Sequence, residues 1–520
     1  MMRTSATTTA KARVEPPEPM DAADIVIGKD LLELLTSAMY VEPMTVYREY
    51  IQNAADSIDL ARKQGLLADN APGRVEIDID PVSRTVSIID HGHGIAWADF
   101  AKRLTALGAS TKRGSHSRGF RGVGRLAGLG YAQELVFRSR VAGEDRVSEM
   151  RWDCRKLRSL LRNQDETDLS TLVAGIVGVT RIDGAGWPDR FFQAEMRQIV
   201  RLKADRLLDP TAIADYLGQV APVPFAPEFR FGAAIRQQLE RSVALSDLDI
   251  SITGRAEPVH RPHADAFAVD DDTKAEFTEI EFFDVPGSDG GLAAIGWLLH
   301  HDYVGAIPAA ARLKGLRIRA GNVQVGDTNL LEELFPEPRF NGWSVGEVHI
   351  LDARIVPNGR RDHFEQNSHF NNLLNHLGPV TRDIARRCRT GSVRRKLLKD
   401  FESQRAAGME RLAILEQGAV GTARRDEVVQ EARQARAQMS KIVPAPALLD
   451  ADRAKLQEQL DLFDAQLESA SDAYDHSEPL AAMPEKKRVM YEHFFDLIYA
   501  CSSNRIAAKS LVDKILEKLA

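Results

Sequence analysis

In the stretch YREYIQNAADSID (47–59), Glu49, Asn53 and Asp56 stand at i, i+4 and i+7 with no cation among them. On a helix they project from one face, a line of ligand-type oxygens. A surface helix with chance spacing gives the same pattern, so the residues that follow must decide. Asp90 ends an apolar run, SIID, and is followed by Gly92 and Gly94. A carboxylate there accepts a hydrogen bond from an exocyclic amine such as that of adenine, and the glycines let backbone approach a ligand closely. An ordinary glycine turn with an aspartate cap reads equally well. His91 and His93 lack a carboxylate or cysteine at ligand spacing, which argues against a metal site.

A third set lies in LGASTKRGSHSRGFRGVGRLAGLGY (107–131), where seven glycines alternate with Lys112, Arg113, Arg118, Arg121 and Arg125. Glycine-rich backbone presents N–H groups in concave nests that suit phosphates. Such a stretch also makes a mobile lid, since glycine loses much entropy on ordering. The buried stripe expected of Phe120, Val123, Leu126 and Leu129 speaks against a disordered linker. There is no G-x-x-x-x-G-K-[ST], so this is not a P-loop. Gly122-Val123-Gly124-Arg125-Leu126-Ala127 spells G-x-G-x-x-A, but a polar segment precedes it where a dinucleotide fold needs an apolar strand.

These residues need elements to position them. Tyr47, Ile51, Ala54 and Ile58 give the first helix a core-facing side. Val75, Ile77 and Ile79 alternate with polar residues, as do Val86 and Ile88, and 80–84 is a turn signal. Two half-buried antiparallel strands are predicted, the second running into Asp90. From about residue 205 strands and helices mix, and 312–327 reads as a strand pair. PNGRRD (357–362) is a turn that delivers two arginines, which a basic surface turn explains as well. Residues 376–520 read as helical, broken at VPAP (443–446) and SEPLAAMP (477–484). Leu456, Leu460, Phe463 and Leu467 form a coiled-coil seam, within the chain or against a second copy. Between 382 and 399 eight Lys/Arg face one Asp, either a solvated helix face or a phosphate-backbone patch.

The chain has 520 residues, too many for one core. Its net charge of -7 gives no global basic field for nucleic acid. No apolar run approaches the ~20 residues that span a bilayer. The first 20 residues lack the apolar stretch of a secretory signal, and 1–24 read as a flexible arm. Cys154, Cys388 and Cys501 are far apart, without disulfide or metal spacing, which fits a reducing, cytoplasmic setting.

The order E-x-x-x-N-x-x-D (49–56), D-x-G-x-G (90–94) and glycine-rich segment (107–131) resembles the Bergerat ATP-binding fold of the GHKL family: gyrase B, Hsp90, sensor histidine kinases and MutL. The resemblance spans about residues 25–370 and lies nearest the Hsp90-like and MORC-like branches. It implies an α+β chain: a 1–24 arm, a Bergerat-fold α/β sandwich at 25–204, a ribosomal-S5-like α/β transducer at 205–375, and a helical, coiled-coil region at 376–520 with possible dimerisation.

The resemblance also implies roles. Glu49 is the general base, Asn53 holds Mg²⁺, Asp56 steadies the water network and Asp90 reads the adenine amine. Arg48 restrains the glutamate. Gly92, Gly94, Lys112, Gly119, Gly122, Val123 and Gly124 surround ATP, with Thr180 in GIVGVTRID as the later-strand threonine. The PNGRRD loop resembles the Hsp90 loop that brings an arginine to the γ-phosphate, giving that role to Arg361 with Arg360 as fallback. Lys314 is a weaker candidate of the MutL type. The implied activity is Mg-ATP hydrolysis coupled to lid and domain closure of a dimeric, chaperone-type clamp acting on protein clients. A MORC-like clamp on DNA is the alternative. No membrane partner is expected.

Overall fold

A computed structural model describes residues 42–106, 124–162, 169–201, 204–269, 274–303, 305–472 and 480–519. The 1–24 arm, Lys112, Gly119, Gly122 and Val123 lie outside the described residues.

Helix α1 (Thr45–Lys63) forms where the apolar period places it. Tyr47, Ile51, Ala54 and Ile58 are all buried in the first core, leaving Glu49, Asn53 and Asp56 half-buried on another side. Strands β1 (Gly73–Asp80) and β2 (Thr85–Asp90) pair antiparallel, with Ile77 opposite Ile88. They join β3 (Glu134–Arg140), β4 (Arg146–Asp153), β5 (Val177–Asp183), β6 (Phe191–Arg197) and β7 (Leu248–Ile252). The sheet order is β5-β4-β3-β6-β2-β1-β7.

β7 reaches back from beyond the expected boundary at 204. It pairs parallel with β1, placing Ile252 beside Ile77. The helix Pro210–Val220 also belongs to the first core, through Ile213 and Leu217. Leu207, Val223 and Val259 are buried with them. Burial of these apolar residues, rather than the change of pattern near 205, sets where this unit ends.

A short antiparallel pair, β8 (Ala266–Ala268) and β9 (Lys274–Glu276), precedes the second unit. That unit is built on β10 (Glu279–Pro286), β11 (Leu292–His300), β12 (Gly315–Ala320), β13 (Val323–Val325) and β14 (Val345–Ile350). They form a five-stranded sheet in the order β10-β11-β14-β12-β13. β12 and β13 are the strand pair expected at 312–327. One face packs on Phe370, Leu373, Leu377 and Ile384; the other packs on Phe229, Ile235 and Phe277.

The two units are joined through buried charge. Glu347 of β14 is fully buried between Arg261 and Arg319, with Arg319 Nε at 2.6 Å. Arg319 also donates to the carbonyls of Gln219 (2.7 Å) and Ala221 (3.2 Å), and Arg261 to that of Val223 (2.9 Å). Burial alone would raise the Glu347 carboxyl, but the two guanidinium groups and His349 hold it well below the usual range.

A 50-residue helix, Ser368–Gln417, leaves the second unit and enters a helical bundle. The bundle adds helices Thr422–Ile442, Asp450–Asp472, Glu485–Cys501 and Arg505–Leu519. One break follows Ile442 at the first proline-containing stretch, and helix Glu485–Cys501 begins directly after Pro484 of the second; the breaks at 418–421 and 502–504 contain no proline. Leu456, Leu460, Phe463 and Leu467 are buried inside this bundle with Phe401, Leu412 and Met439. The seam therefore packs within the chain. Among the described residues, no helix is long and apolar enough to cross a membrane.

Candidate active site

Asp90 ends β2 with 3% of its surface exposed. Its Oδ1 accepts from the Gly92 N–H at 2.9 Å, and the Ser57 hydroxyl of α1 also bonds to it. Ser57 Oγ accepts in turn from the His93 N–H at 3.0 Å, so the loop after β2 is stitched to α1. A Cβ on Gly92 would lie 2.6 Å from the Ser57 carbonyl carbon, which explains the glycine. Gly94 has φ +77, and a Cβ there would overlap the Arg140 carbonyl oxygen. Burial pushes the Asp90 carboxyl up to about 7, against the lowering effect of Gly92, Ser57 and Arg190.

Glu49 faces the described end of the glycine-rich segment. A Cβ on Gly124 would overlap Glu49 Oε2, so a side chain there would push the carboxylate out of its present position. Gly128 donates its N–H to Tyr50 Oη at 3.1 Å, fixing the same segment to α1. Arg48 Nη2 lies 3.5 Å from Glu49 Oε1.

The PNGRRD turn reaches this helix from the second unit. The Arg361 N–H donates to the Asn358 carbonyl at 3.1 Å, and the Gly326 N–H donates to the Arg361 carbonyl at 2.8 Å. These bonds hold Arg361 at φ +54, an unfavourable conformation for a side-chain-bearing residue. With the Gln52 amide oriented to present its oxygen, Gln52 accepts from Arg361 Nη1 and Nε at 3.2 Å each. Arg48 donates to the Arg360 carbonyl at 2.9 Å. Thus Glu49, Asn53 and Asp56 share one helix, and Arg361 is brought to that helix at the residue before Asn53.

Thr180 does not join them. It is exposed on β5, paired with Glu149, at the sheet edge, with β4, β3 and β6 between it and β2. The apolar look of GIVGVTRID predicts a strand correctly, but not which strand lies beside Asp90. That neighbour is β6, and the residue just before it is Arg190. Arg190 Nη1 donates to the Gly92 carbonyl at 2.6 Å and to the His91 carbonyl. Nothing in the spacing around Arg190 marks it in the sequence. The motif spacing also passes over Gln52 and Ser57, although both lie inside the E-x-x-x-N-x-x-D stretch or next to it. Lys314 sits before β12, and among the described residues no hydrogen bond or ion pair links it to α1.

The site therefore offers a buried carboxylate for an amine, backbone lined by glycines, and an acid–amide–acid helix face. Residues 41–175 match the family described as "Histidine kinase-, DNA gyrase B-, and HSP90-like ATPase". These residues form an ATPase domain of the GHKL family. Chaperone protein HtpG of Hydrogenovibrio crunogenus is 29% identical over 140 residues, covering 24% of this chain and 22% of the relative. HtpG of Acinetobacter baylyi is 29% identical over 139 residues, with the same shares of 24% and 22%. HtpG of Burkholderia lata reaches 30% over 143 residues, again 24% and 22%. The chain thus spans about a fifth of the length of those relatives.

The GHKL domain implies ATP with Mg²⁺. Asn53 offers one half-buried amide oxygen between two carboxylates. A small hard cation that keeps several waters and binds mainly phosphates needs one or two protein oxygens rather than a cage, so these residues fit it. Bound there, Mg²⁺ would neutralise phosphate charge.

Proposed function

We propose that this chain is an Hsp90-like ATPase that hydrolyses Mg-ATP and couples turnover to closure of its glycine-rich lid and of its second unit. The observation that carries this reading is the placement of Arg361 against Gln52 on the helix that bears Glu49 and Asn53. Phosphoryl transfer needs a placed water and neutralised charge rather than covalent chemistry. Glu49 is the group to orient and deprotonate that water, Asp56 to steady it, and Asp90 to hold the adenine amine. Arg48 restrains Glu49 through their contact. Arg361 supplies charge from a separate unit, so hydrolysis depends on how the two units meet. We assign Lys112, Gly119, Gly122 and Val123 to phosphate contacts on sequence alone.

The relatives named as chaperones favour protein clients, and a homodimer in the cytoplasm is the accompanying proposal. The DNA-clamp alternative rests on the basic stretch 382–399. Within it Arg386 and Arg387 pair with Asp383, Arg389 with Glu337, and Arg394 with Asp452. Arg395 lies over the Trp343 ring. These cations are already engaged inside the chain, which weakens a phosphate-backbone role.

Glu49→Ala tests the assignment. Mg-ATP affinity should stay near wild type while phosphate release falls about 10²–10⁴-fold, the usual worth of a general base. Hydrolysis at the wild-type rate would remove Glu49 from that role.

A further inference from the structure

Arg190 has no part in the proposed hydrolysis, yet its guanidinium gathers three segments. It donates to the Leu66 carbonyl after α1 at 3.1 Å, to the Gly92 carbonyl at 2.6 Å, and to the His91 carbonyl, from the entry to β6. A planar fork with several donors suits such a cluster of oxygens. These bonds fix the loop that begins at Asp90.

Arg190 is also the cation that acts on Asp90. From α1, Ser57 faces the carboxylate with its hydroxyl, and Asp56 precedes it on the same helix. From β1, Glu76 is taken up by His91 at 3.0 Å and Arg74 at 2.8 Å. The loop contributes the Gly92 N–H, and His93 bonds its own neighbour's carbonyl at Gly94 through Nδ1 at 3.0 Å. Gln193 of β6 is engaged with Arg138 and Ser87.

The charge on Asp90 matters for what it will bind. An ionised carboxylate only accepts, so it matches the 6-amino group of adenine and repels the 6-oxo group of hypoxanthine. A protonated carboxyl carries a donor and tolerates the oxo group. We propose that Arg190 is a positioning residue that makes this pocket selective for a nucleobase with an exocyclic amine, by fixing the Asp90–Gly92 loop and keeping Asp90 in its acceptor form. The inference rests on the nucleotide-binding reading above. Burial already lifts Asp90 to about 7, so the balance near neutral pH is sensitive to one nearby cation.

The test is calorimetric titration of the full chain with Mg-ATP and with Mg-inosine triphosphate from pH 6 to 9, for wild type, Arg190→Lys and Arg190→Met. In wild type, preference for ATP over inosine triphosphate should be high above pH 7 and decline below it. In Arg190→Met the Asp90 carboxyl should rise further, so ATP binding at pH 7 should weaken about fivefold and recover as the pH is raised. Arg190→Lys keeps the charge and should keep the wild-type pH profile. The inference is overturned by a pH-independent wild-type preference, which needs no variant. It is equally overturned if Arg190→Met keeps wild-type selectivity at pH 7, or if a folded Arg190→Met loses affinity equally at every pH. A wild-type chain that binds neither nucleotide at any pH would instead sink the nucleotide reading itself.

Discussion

Arg48 Nη2 stands 2.9 Å from the carbonyl oxygen of Arg360, so a side chain of α1 holds the backbone of the second unit's arginine turn. The same nitrogen is 3.5 Å from Glu49 Oε1. One guanidinium therefore serves two acceptors that belong to different units. A shift of the turn changes how much of Arg48 is left for Glu49, which ties the freedom of the carboxylate to the seating of residues 360–361. Gln52 and Arg361 make the second contact between the same two elements.

Removing the guanidinium at 361 should separate binding from turnover. Arg361→Ala is expected to bind Mg-ATP with near wild-type affinity and hydrolyse it about a hundredfold more slowly, the loss typical of one transition-state donor. Steady-state phosphate release alongside nucleotide titration measures both. Undiminished turnover would mean that the arginine of the turn has no share in the chemistry.

Asp90→Asn should lose ATP affinity, because the amide replaces an acceptor with a donor toward the adenine amine. It also carries a stability prediction whose sign follows from burial. The folded carboxyl lies near 7 instead of its ordinary 3.8, so Asp90 favours the fold most at low pH, and that contribution is lost as pH rises through about 7. Above pH 8, without nucleotide, Asp90→Asn should therefore be more stable than wild type, by on the order of 2–4 kcal/mol. Denaturant melts at pH 5.5 and 8.5 check this. An equal effect at both values would show that ionisation of Asp90 is not the cause.

How far the sequence could be read depended on how local each signal was. The helix face 49–56 and the hairpin into Asp90 rest on spacing within a few residues, and both formed as expected. The neighbour of Asp90 across the sheet is a question of strand order. Thr180 and Arg190 are ten positions apart in sequence, yet β5 is the edge of the sheet and β6 its centre, and nothing in either segment states that order. β7 is similar: its pairing with β1 joins residues 248–252 to 73–77, and composition near 205 hides it. The Glu347 cluster was invisible because 312–327 reads as an ordinary strand pair and nothing in GEVHI (346–350) marks Glu347 as its partner. Only their burial turns Arg319 and Glu347 into a joint.

That joint gives a third prediction. Glu347→Ala leaves Arg261 and Arg319 buried without their carboxylate and should destabilise the fold by about 3–5 kcal/mol. The native carboxyl lies well below its usual range, so its contribution is present above the unfolded value, near 4.5, and disappears as pH falls through the lower folded one. The difference between Glu347→Ala and wild type in urea melts should accordingly be full at pH 7 and shrink only in strong acid. A difference below ~1 kcal/mol at pH 7 would mean that the two arginines find other partners or water.

The last prediction concerns how two copies meet. The leucine seam at 456–467 is buried in the chain's own bundle, so it is not the surface for a second copy. The helix Glu485–Cys501 instead turns outward Met490, Phe494 and Leu497, 58%, 49% and 47% exposed. Their 4, 3 spacing is that of a seam, and exposed side chains of this size in a row are a usual mark of an interface. If the proposed homodimer forms here, Phe494→Glu with Leu497→Glu should leave the melting temperature nearly unchanged and shift sedimentation from dimer to monomer. Leu460→Asp should do the reverse kind of damage, lowering stability by several kcal/mol because it places a charge in a packed core. A wild-type chain that sediments as a monomer at tens of micromolar, with and without Mg-ATP, would rule out the dimer. The outward stripe would then be free for a different partner.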